Sequence, residues 1–419
     1  MRTLIFILGI STLCILLFLT GCGGGSSSSS NPMENAVTVT FTGGTPTAVA
    51  TQIGTGAFTS ATLSGSSLTV MIPSGTQKYA ISYVCPPVPG FGNTVTSESI
   101  IEATIADGST YTVSCLGSLP TGTTTGNVNA SAIAGATNVL VRGNSSYGGS
   151  VGSASGSFSV SLPNGSNDIA LIAVNGSGTV LAVKFVRAQT VPGAINSGNT
   201  ITLGSSDMVT SQSLNVTNVP SGFTMPPAAS VNYLTANGTS ILLDSTSATQ
   251  YPAVPAAAGQ SGDFYAYESN TTDTATHNSA VGITQTSTSG GSATIALPAS
   301  WSYSGPAAAA LPTFTFNYSG FSGLTAMAQQ GEIEWEPTPT TLSTIAVTAT
   351  SSYQAGASTI TVPNLASLSG FFAAAPSGTN IFWVADVYGG TKLPYTFYTA
   401  IPASGSLGFV QNEGNYTEP

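Results

Sequence analysis

The amino-acid sequence predicts an all-β protein of tandem β-sandwich domains, on three observations. Apolar and polar residues alternate with a period of two, turn-forming clusters interrupt the alternation at short intervals, and one strand–turn–strand unit recurs at a fixed offset. Val37, Val39 and Phe41 fall on one side of an extended chain, as do Leu68, Val70 and Ile72. The spacing returns in Phe158/Val160/Leu162, Ile169/Leu171, Leu181/Val183/Phe185, Phe314/Phe316/Tyr318, Ile345/Val347, Ile360/Val362 and Ile381/Trp383. Pro73-Ser74-Gly75, Pro163-Asn164-Gly165 and Asn175-Gly176-Ser177 supply turns between such runs. No window sustains the i, i+3, i+4 stripe of an amphipathic helix.

The recurring unit sets the module size. Leu68-Thr69-Val70-Met71-Ile72-Pro73-Ser74-Gly75, continuing to Tyr79-Ala80-Ile81, matches Phe158-Ser159-Val160-Ser161-Leu162-Pro163-Asn164-Gly165, continuing to Ile169-Ala170-Leu171, at an offset of 90 residues. Pro lacks a ladder donor and closes the first strand; Gly permits the turn. An offset of this size suits a small sandwich, not a solenoid coil. Turn-rich stretches then divide the chain into 36–120, 126–204, 213–336 and a short unit at 342–419. Leu119–Thr125 serves as one linker and Glu336-Pro337-Thr338-Pro339-Thr340-Thr341 as a stiff second one. The Ala- and Pro-rich stretch Tyr251–Gly262 reads as a long loop. Gly126-Asn127-Val128, Gly156-Ser157-Phe158-Ser159-Val160 and Leu162-Pro163-Asn164-Gly165 resemble the carboxypeptidase-regulatory-like and other Ig-like modules of bacterial surface proteins. That resemblance implies framework strands and a hairpin at these positions, with no catalytic residue among them.

The N-terminus is of a different kind. Arg2 precedes an apolar stretch from Leu4 to Leu19, shorter than the roughly 20 residues a permanent bilayer-spanning helix needs. It ends in Leu19-Thr20-Gly21-Cys22, which resembles the lipobox of bacterial lipoproteins. The resemblance implies a cleaved signal peptide at 1–21 and acylation of Cys22, and Gly23 in place of Asp leans toward the outer membrane. Residues 22–35, with Gly23-Gly24-Gly25 and Ser26 to Ser30, then form a flexible tether. On this reading Cys14 is lost and Cys22 is lipidated, so Cys85 and Cys115 remain. Each closes an alternating run whose Tyr and aliphatic residues share its parity, which places both sulfurs on an inner face. An exported protein favours a disulfide there; two buried free thiols are the alternative.

Charged residues are only 5% of the chain, and no second apolar run is long enough to span a bilayer. Ser, Thr, Asn, Gln and Gly must therefore cover the surface, while 41% hydrophobic residues argue against disorder. Beyond the leader only Lys78, Arg142, Lys184, Arg187 and Lys392 are basic, and they are scattered. That excludes the basic stripe of a nucleic-acid-binding surface.

Candidate chemistry is sparse. His277, the single histidine, sits in a polar loop-like stretch, which disfavours zinc and copper sites. Gly148-Gly149-Ser150-Val151-Gly152 matches the nucleophile-elbow pattern but lacks the following helix that such an elbow requires. No catalytic residue and no cofactor are therefore assigned. Glu332, Glu334 and Glu336 share one face of a strand, with Ile333 and Trp335 on the other. They make either a solvated acidic face or a site for a cation such as Ca²⁺. Tyr265 and Tyr267 share a face, and Tyr388, Tyr395, Phe397 and Tyr398 crowd the last unit. Such rings stack on sugars when exposed and pack when buried. The expected role is a lipid-anchored structural, adhesive or binding protein of the cell envelope. The membrane is its partner through the lipid, a polysaccharide or another envelope protein is the candidate ligand, and a carbohydrate-binding accessory to polysaccharide uptake is the alternative.

Overall fold

A computed structural model describes residues 35–90, 93–115, 121–143, 148–223, 228–237, 239–244, 249–273, 275, 278–287, 290–321, 324–390 and 405–419. The leader, Cys22, most of the tether, His277, Lys392, Tyr395, Phe397 and Tyr398 lie outside these residues.

The predicted alternation is realised as β-strands throughout. The first unit contains β1 (Asn35–Thr42), β2 (Ala48–Ile53), β3 (Thr59–Ser60), β4 (Ser67–Ile72), β5 (Lys78–Val84), β6 (Val88–Gly90), β7 (Asn93–Thr104) and β8 (Thr110–Ser114). The second has β9 (Thr121–Asn129), β10 (Asn138–Arg142), β11 (Gly148–Ser150), β12 (Ser155–Pro163), β13 (Gly165–Val174), β14 (Val180–Val191), β15 (Gly193–Ala194) and β16 (Thr200–Thr202). The third has β17 (Thr210–Thr217), β18 (Ala228–Leu234), β19 (Ser240–Asp244), β20 (Gln250–Ala253), β21 (Phe264–Asp273), β22 (Asn278–Ser287) and β23 (Ala293–Ala296). The fourth has β24 (Thr313–Thr315), β25 (Thr325–Thr338), β26 (Thr341–Thr350), β27 (Thr359–Thr361), β28 (Asn380–Gly390) and β29 (Gly405–Thr417).

All four units share one topology. A small sheet is built on the opening strand, in the orders β4-β1-β8, β12-β9-β16, β20-β17-β23 and β24-β27. A larger antiparallel sheet lies opposite, as β3-β2-β5-β7, β11-β10-β13-β14, β19-β18-β21-β22 and β26-β25-β28-β29. In the first unit Val37, Val39, Leu68 and Val113 of one sheet meet Val49, Tyr79, Ile81 and Ile101 of the other in a single buried cluster. The 90-residue repeat thus superimposes β4 on β12 and β5 on β13, and the third and fourth units carry the same plan without the same turn.

The fourth unit lacks the parallel third strand of the small sheet. Its core takes Trp301, Phe314 and Phe316 instead, and together with Trp335 and Trp383 it gathers all three tryptophans of the chain. This corrects the boundary expected at 336–341. The Pro/Thr segment is the turn of the β25–β26 hairpin, with Thr338 opposite Thr341. It cannot link separate units, because the strands on either side of it pair with each other.

Three of the four larger sheets join edge to edge. The order runs β19-β18-β21-β22-β29-β28-β25-β26-β7-β5-β2-β3, a 13-stranded sheet once β6 is added beside β7. At one joint β22 pairs antiparallel with β29, from Ser279↔Gln411 to Gln285↔Gly405. At the other β26 runs parallel to β7, from Thr341↔Thr94 to Ala349↔Glu102. Side chains reinforce that joint: Thr350 Oγ1 donates to Asp107 Oδ2 at 2.7 Å, and Phe372 N to Glu98 Oε2 at 3.0 Å.

The second unit keeps its own sheet and packs against the third. Every residue of β13 from Asn167 to Val174 is buried. Ile169, Leu171 and Ala173 point into their own sandwich, while Ala170, Ile172 and Val174 enter the cluster of Leu214, Val231 and Tyr251. A strand covered on both faces reads as a continuous apolar run rather than an alternating one.

Cys85 and Cys115 are joined in a disulfide with Cα atoms 5.2 Å apart. They follow β5 and β8, so the bond staples the two sheets of the first sandwich. The closed loop spans 30 residues. Replacing both cysteines with serine is expected to lower stability by about 3–4 kcal/mol on the chain-entropy model, measured by chemical denaturation of the oxidised protein against the variant.

Candidate functional site

Four places concentrate polar chemistry, and the first joins the second and third units. The β13–β14 ladder slips between Asn167 and Ile169, and Ala188 opposite takes φ +51°. Such a bulge re-aims side chains. Here Asp168 and Arg187 turn toward the third unit. Arg187 Nη1 donates to Asp168 Oδ2 at 3.0 Å, and Nη2 donates to Asp263 Oδ2 at 2.6 Å and to Ala258 O at 2.9 Å. The Tyr233 hydroxyl also donates to Asp263 Oδ2, at 2.8 Å, while Asn237 Nδ2 and Ala188 N donate to Asp168 Oδ1. Burial works to raise the Asp168 carboxyl, yet bonds from Ala188 N, Asn237 and Arg187 outweigh it and hold it below its ordinary value. Burial likewise opposes the Arg187 charge, and the two carboxylates more than restore it. Every strong acceptor is answered, so this arrangement is a clamp.

The second place corrects the expectation for Tyr265 and Tyr267. They do share a face, but it is the inner one, and they are 0% and 1% exposed. Their rings stack at 5.7 Å, with Tyr251 edge-on to both. The Tyr251 hydroxyl bonds that of Tyr267 at 2.8 Å and donates to Gly291 O, while Tyr265 accepts from Val254 N. No ring face is open to a sugar. Tyr388, the one described member of the group in the last unit, packs against Phe409.

The third place is the acidic run. Ile333 and Trp335 are buried in the fourth core, as the alternation predicts, and Glu332 and Glu334 lie half-buried on the opposite face of β25. Asp386 on the neighbouring strand β28 is only 4% exposed. Burial first, then Asp386 and Glu334, push the Glu332 carboxyl up to about 8. Burial also lifts Asp386 to about 7, against bonds from Tyr388 and Gln411. Of the two alternatives for this run, the arrangement fits an acidic strand face. Glu336, the third carboxylate of the run, is exposed, and Glu332 is engaged by the Gln330 amide. No group of three or more potential metal ligands occurs among the described residues. Relief comes from a relay instead: Thr348 Oγ1 donates to Gln330 Oε1, and Gln330 Nε2 to Glu332 Oε2 at 3.3 Å.

The fourth place escaped the sequence reading. A cleft of about 850 Å³ opens between the second and third units, with Arg142, Ser211, Ser240, Leu242 and Gln250 on its walls. Val139 and Val141 of β10 face their own core, so Arg142 projects from the outer side. Its Nη1 donates to the carbonyls of Val141 and Gly149. Gly148-Gly149-Ser150 is the edge strand β11 paired with β10, not a strand–helix elbow. Gly148 matters sterically, because a Cβ there would collide first with the Val141 carbonyl oxygen and come within 2.9 Å of Arg142 Nη1. The only sequence signal for Arg142 and Arg187 was their rarity.

No family model and no curated protein matches the chain. Since one sandwich architecture hosts many functions, a functional reading rests on these four places and on how the units are joined.

Two outcomes follow from this geometry. Replacing Arg187 with Met strands two carboxylates whose side chains are 1% and 0% exposed, and is expected to cost about 3–5 kcal/mol in chemical denaturation. The raised carboxyls carry the opposite pH sense to a salt-bridged acid. Their contribution is fully present below the ordinary carboxylate value of 4.5 and is lost as pH rises through about 8 for Glu332. Asp386, lifted from 3.8 to about 7, follows the same sense, so Asp386→Asn should raise the melting temperature at pH 8.5 and leave it nearly unchanged at pH 3.5, as read by differential scanning calorimetry.

Proposed function

We propose that this protein is an exported, lipid-anchored, non-catalytic scaffold of the cell envelope, with a structural or adhesive role. The observation that carries the reading is the edge-to-edge sheet joining the first, fourth and third units. Joined with the Arg187 clamp between the second and third units, it favours one stiff body over beads on a string. A stiff body suits a spacer or a presenting platform. The resemblance of Leu19-Thr20-Gly21-Cys22 to a lipobox supports an anchor at Cys22, and two or more acyl chains would hold stably where one would not. The tether from Gly23 to Glu34 would span roughly 20 Å as a Gly/Ser-rich coil. Acid–base chemistry needs positioned groups with tuned pKa values. Asp168 and Asp263 are consumed by the clamp.

Cys22→Ser tests the anchor. Metabolic labelling with palmitate and membrane fractionation should show wild-type protein labelled and pelleted, and the variant unlabelled and soluble. A variant that stays lipidated, or stays with the membranes after a salt wash, overturns the proposal.

A further inference from the structure

Arg142 stands apart from the other described cations. Lys184 pairs with Asp207, and Arg187 with Asp168 and Asp263. Lys78 lies over the Tyr353 ring and beside Glu102. Arg142 has no carboxylate partner among the described residues; its bonds go to two backbone carbonyls through Nη1 alone. A guanidinium carries five N–H donors in a fixed fork. Among the described residues nothing bonds the Nε and Nη2 edge, the edge that grips a carboxylate with two parallel bonds. Burial also presses the Arg142 pKa downward. A half-buried cation without an anion, on the wall of a cleft, is a structural expense that an anionic ligand would relieve.

The rest of the cleft narrows the ligand class. The Ser211 hydroxyl donates to Gln250 Oε1 at 2.9 Å, which leaves the Gln250 amide NH₂ free to donate. Ser240 adds a hydroxyl, and Leu242, 51% exposed, offers an apolar surface. Paired hydroxyl and amide donors beside an exposed aliphatic patch match a pyranose ring, with its equatorial hydroxyls and its C–H face. The volume, about 850 Å³, falls within the range of ligand clefts.

We propose that the cleft between the second and third units binds an acidic glycan, with Arg142 gripping the carboxylate of a uronic-acid residue. The inference rests on neither the lipid anchor nor the scaffold reading, and each can fail without the other.

The test is affinity electrophoresis and titration calorimetry of the full-length chain in detergent, with polygalacturonate, dextran sulfate and neutral dextran as probes. Wild-type protein should be retarded by polygalacturonate and not by dextran. Arg142→Met should weaken that binding at least tenfold, and Arg142→Lys, which keeps the charge without the fork, should fall between them. Leu242→Glu, at an exposed position, places a like charge in the cleft and should abolish binding with an unchanged melting curve, which separates loss of the site from loss of the fold. Equal binding by wild type and a folded Arg142→Met overturns the proposal. Preference for dextran sulfate over polygalacturonate overturns the carboxylate assignment, and no binding to any probe overturns the site.

Discussion

A β-sheet edge exposes a row of unpaired backbone donors and acceptors, and a chain with several sandwiches multiplies such edges. Here that constraint organises the molecule. The closing strand β22 of the third unit meets β29 of the fourth, and β26 of the fourth meets β7 of the first. Each pairing removes two edges at once. The outermost strands that remain, β19 and β3, are short, with five and two residues, one of the established ways to blunt an edge.

The second unit solves a different problem. Its larger sheet joins no other larger sheet but buries its outer face against the third unit, so β13 is apolar on both sides. Apolar contact alone is weakly directional. The bulge at Asp168 and the Arg187 fork add direction, since the fork admits its carboxylates in few geometries. The cleft carrying Arg142 lies between the same two units, so the clamp also sets the spacing of its walls.

Much of the architecture was legible from side-chain periodicity. The all-β class, the shared inner face of Cys85 and Cys115 and the two-faced character of Glu332–Glu336 follow from a period of two, and the first two repeats from the 90-residue offset. Alternation says which residues share a face; it does not say whether that face is covered. Tyr265 and Tyr267 were correctly paired yet lie inside, not outside. The third and fourth repeats were hidden because the tight turns after β4 and β12 become the longer connections Val254–Asp263 and Val362–Thr379. The Pro/Thr stretch had the composition of a linker and the geometry of a hairpin turn. Edge-to-edge joints leave almost no side-chain signature, since backbone atoms make them. Arg142 and Arg187 could not be told apart by sequence: one is paired and one is not, and only the fold brings their neighbours.

The parallel joint between β7 and β26 has a consequence for biogenesis. Thr96 meets Leu342, a partner 246 residues further along the chain. Ribosomes add roughly 5–20 residues per second, so β7 exists for on the order of tens of seconds before the strand that will cover it. The first sandwich can close its core in that time, but it must wait with one long edge bare. Nascent chains are most prone to mispair at such edges. The last unit to be made is thus the one that ends the hazard created by the first.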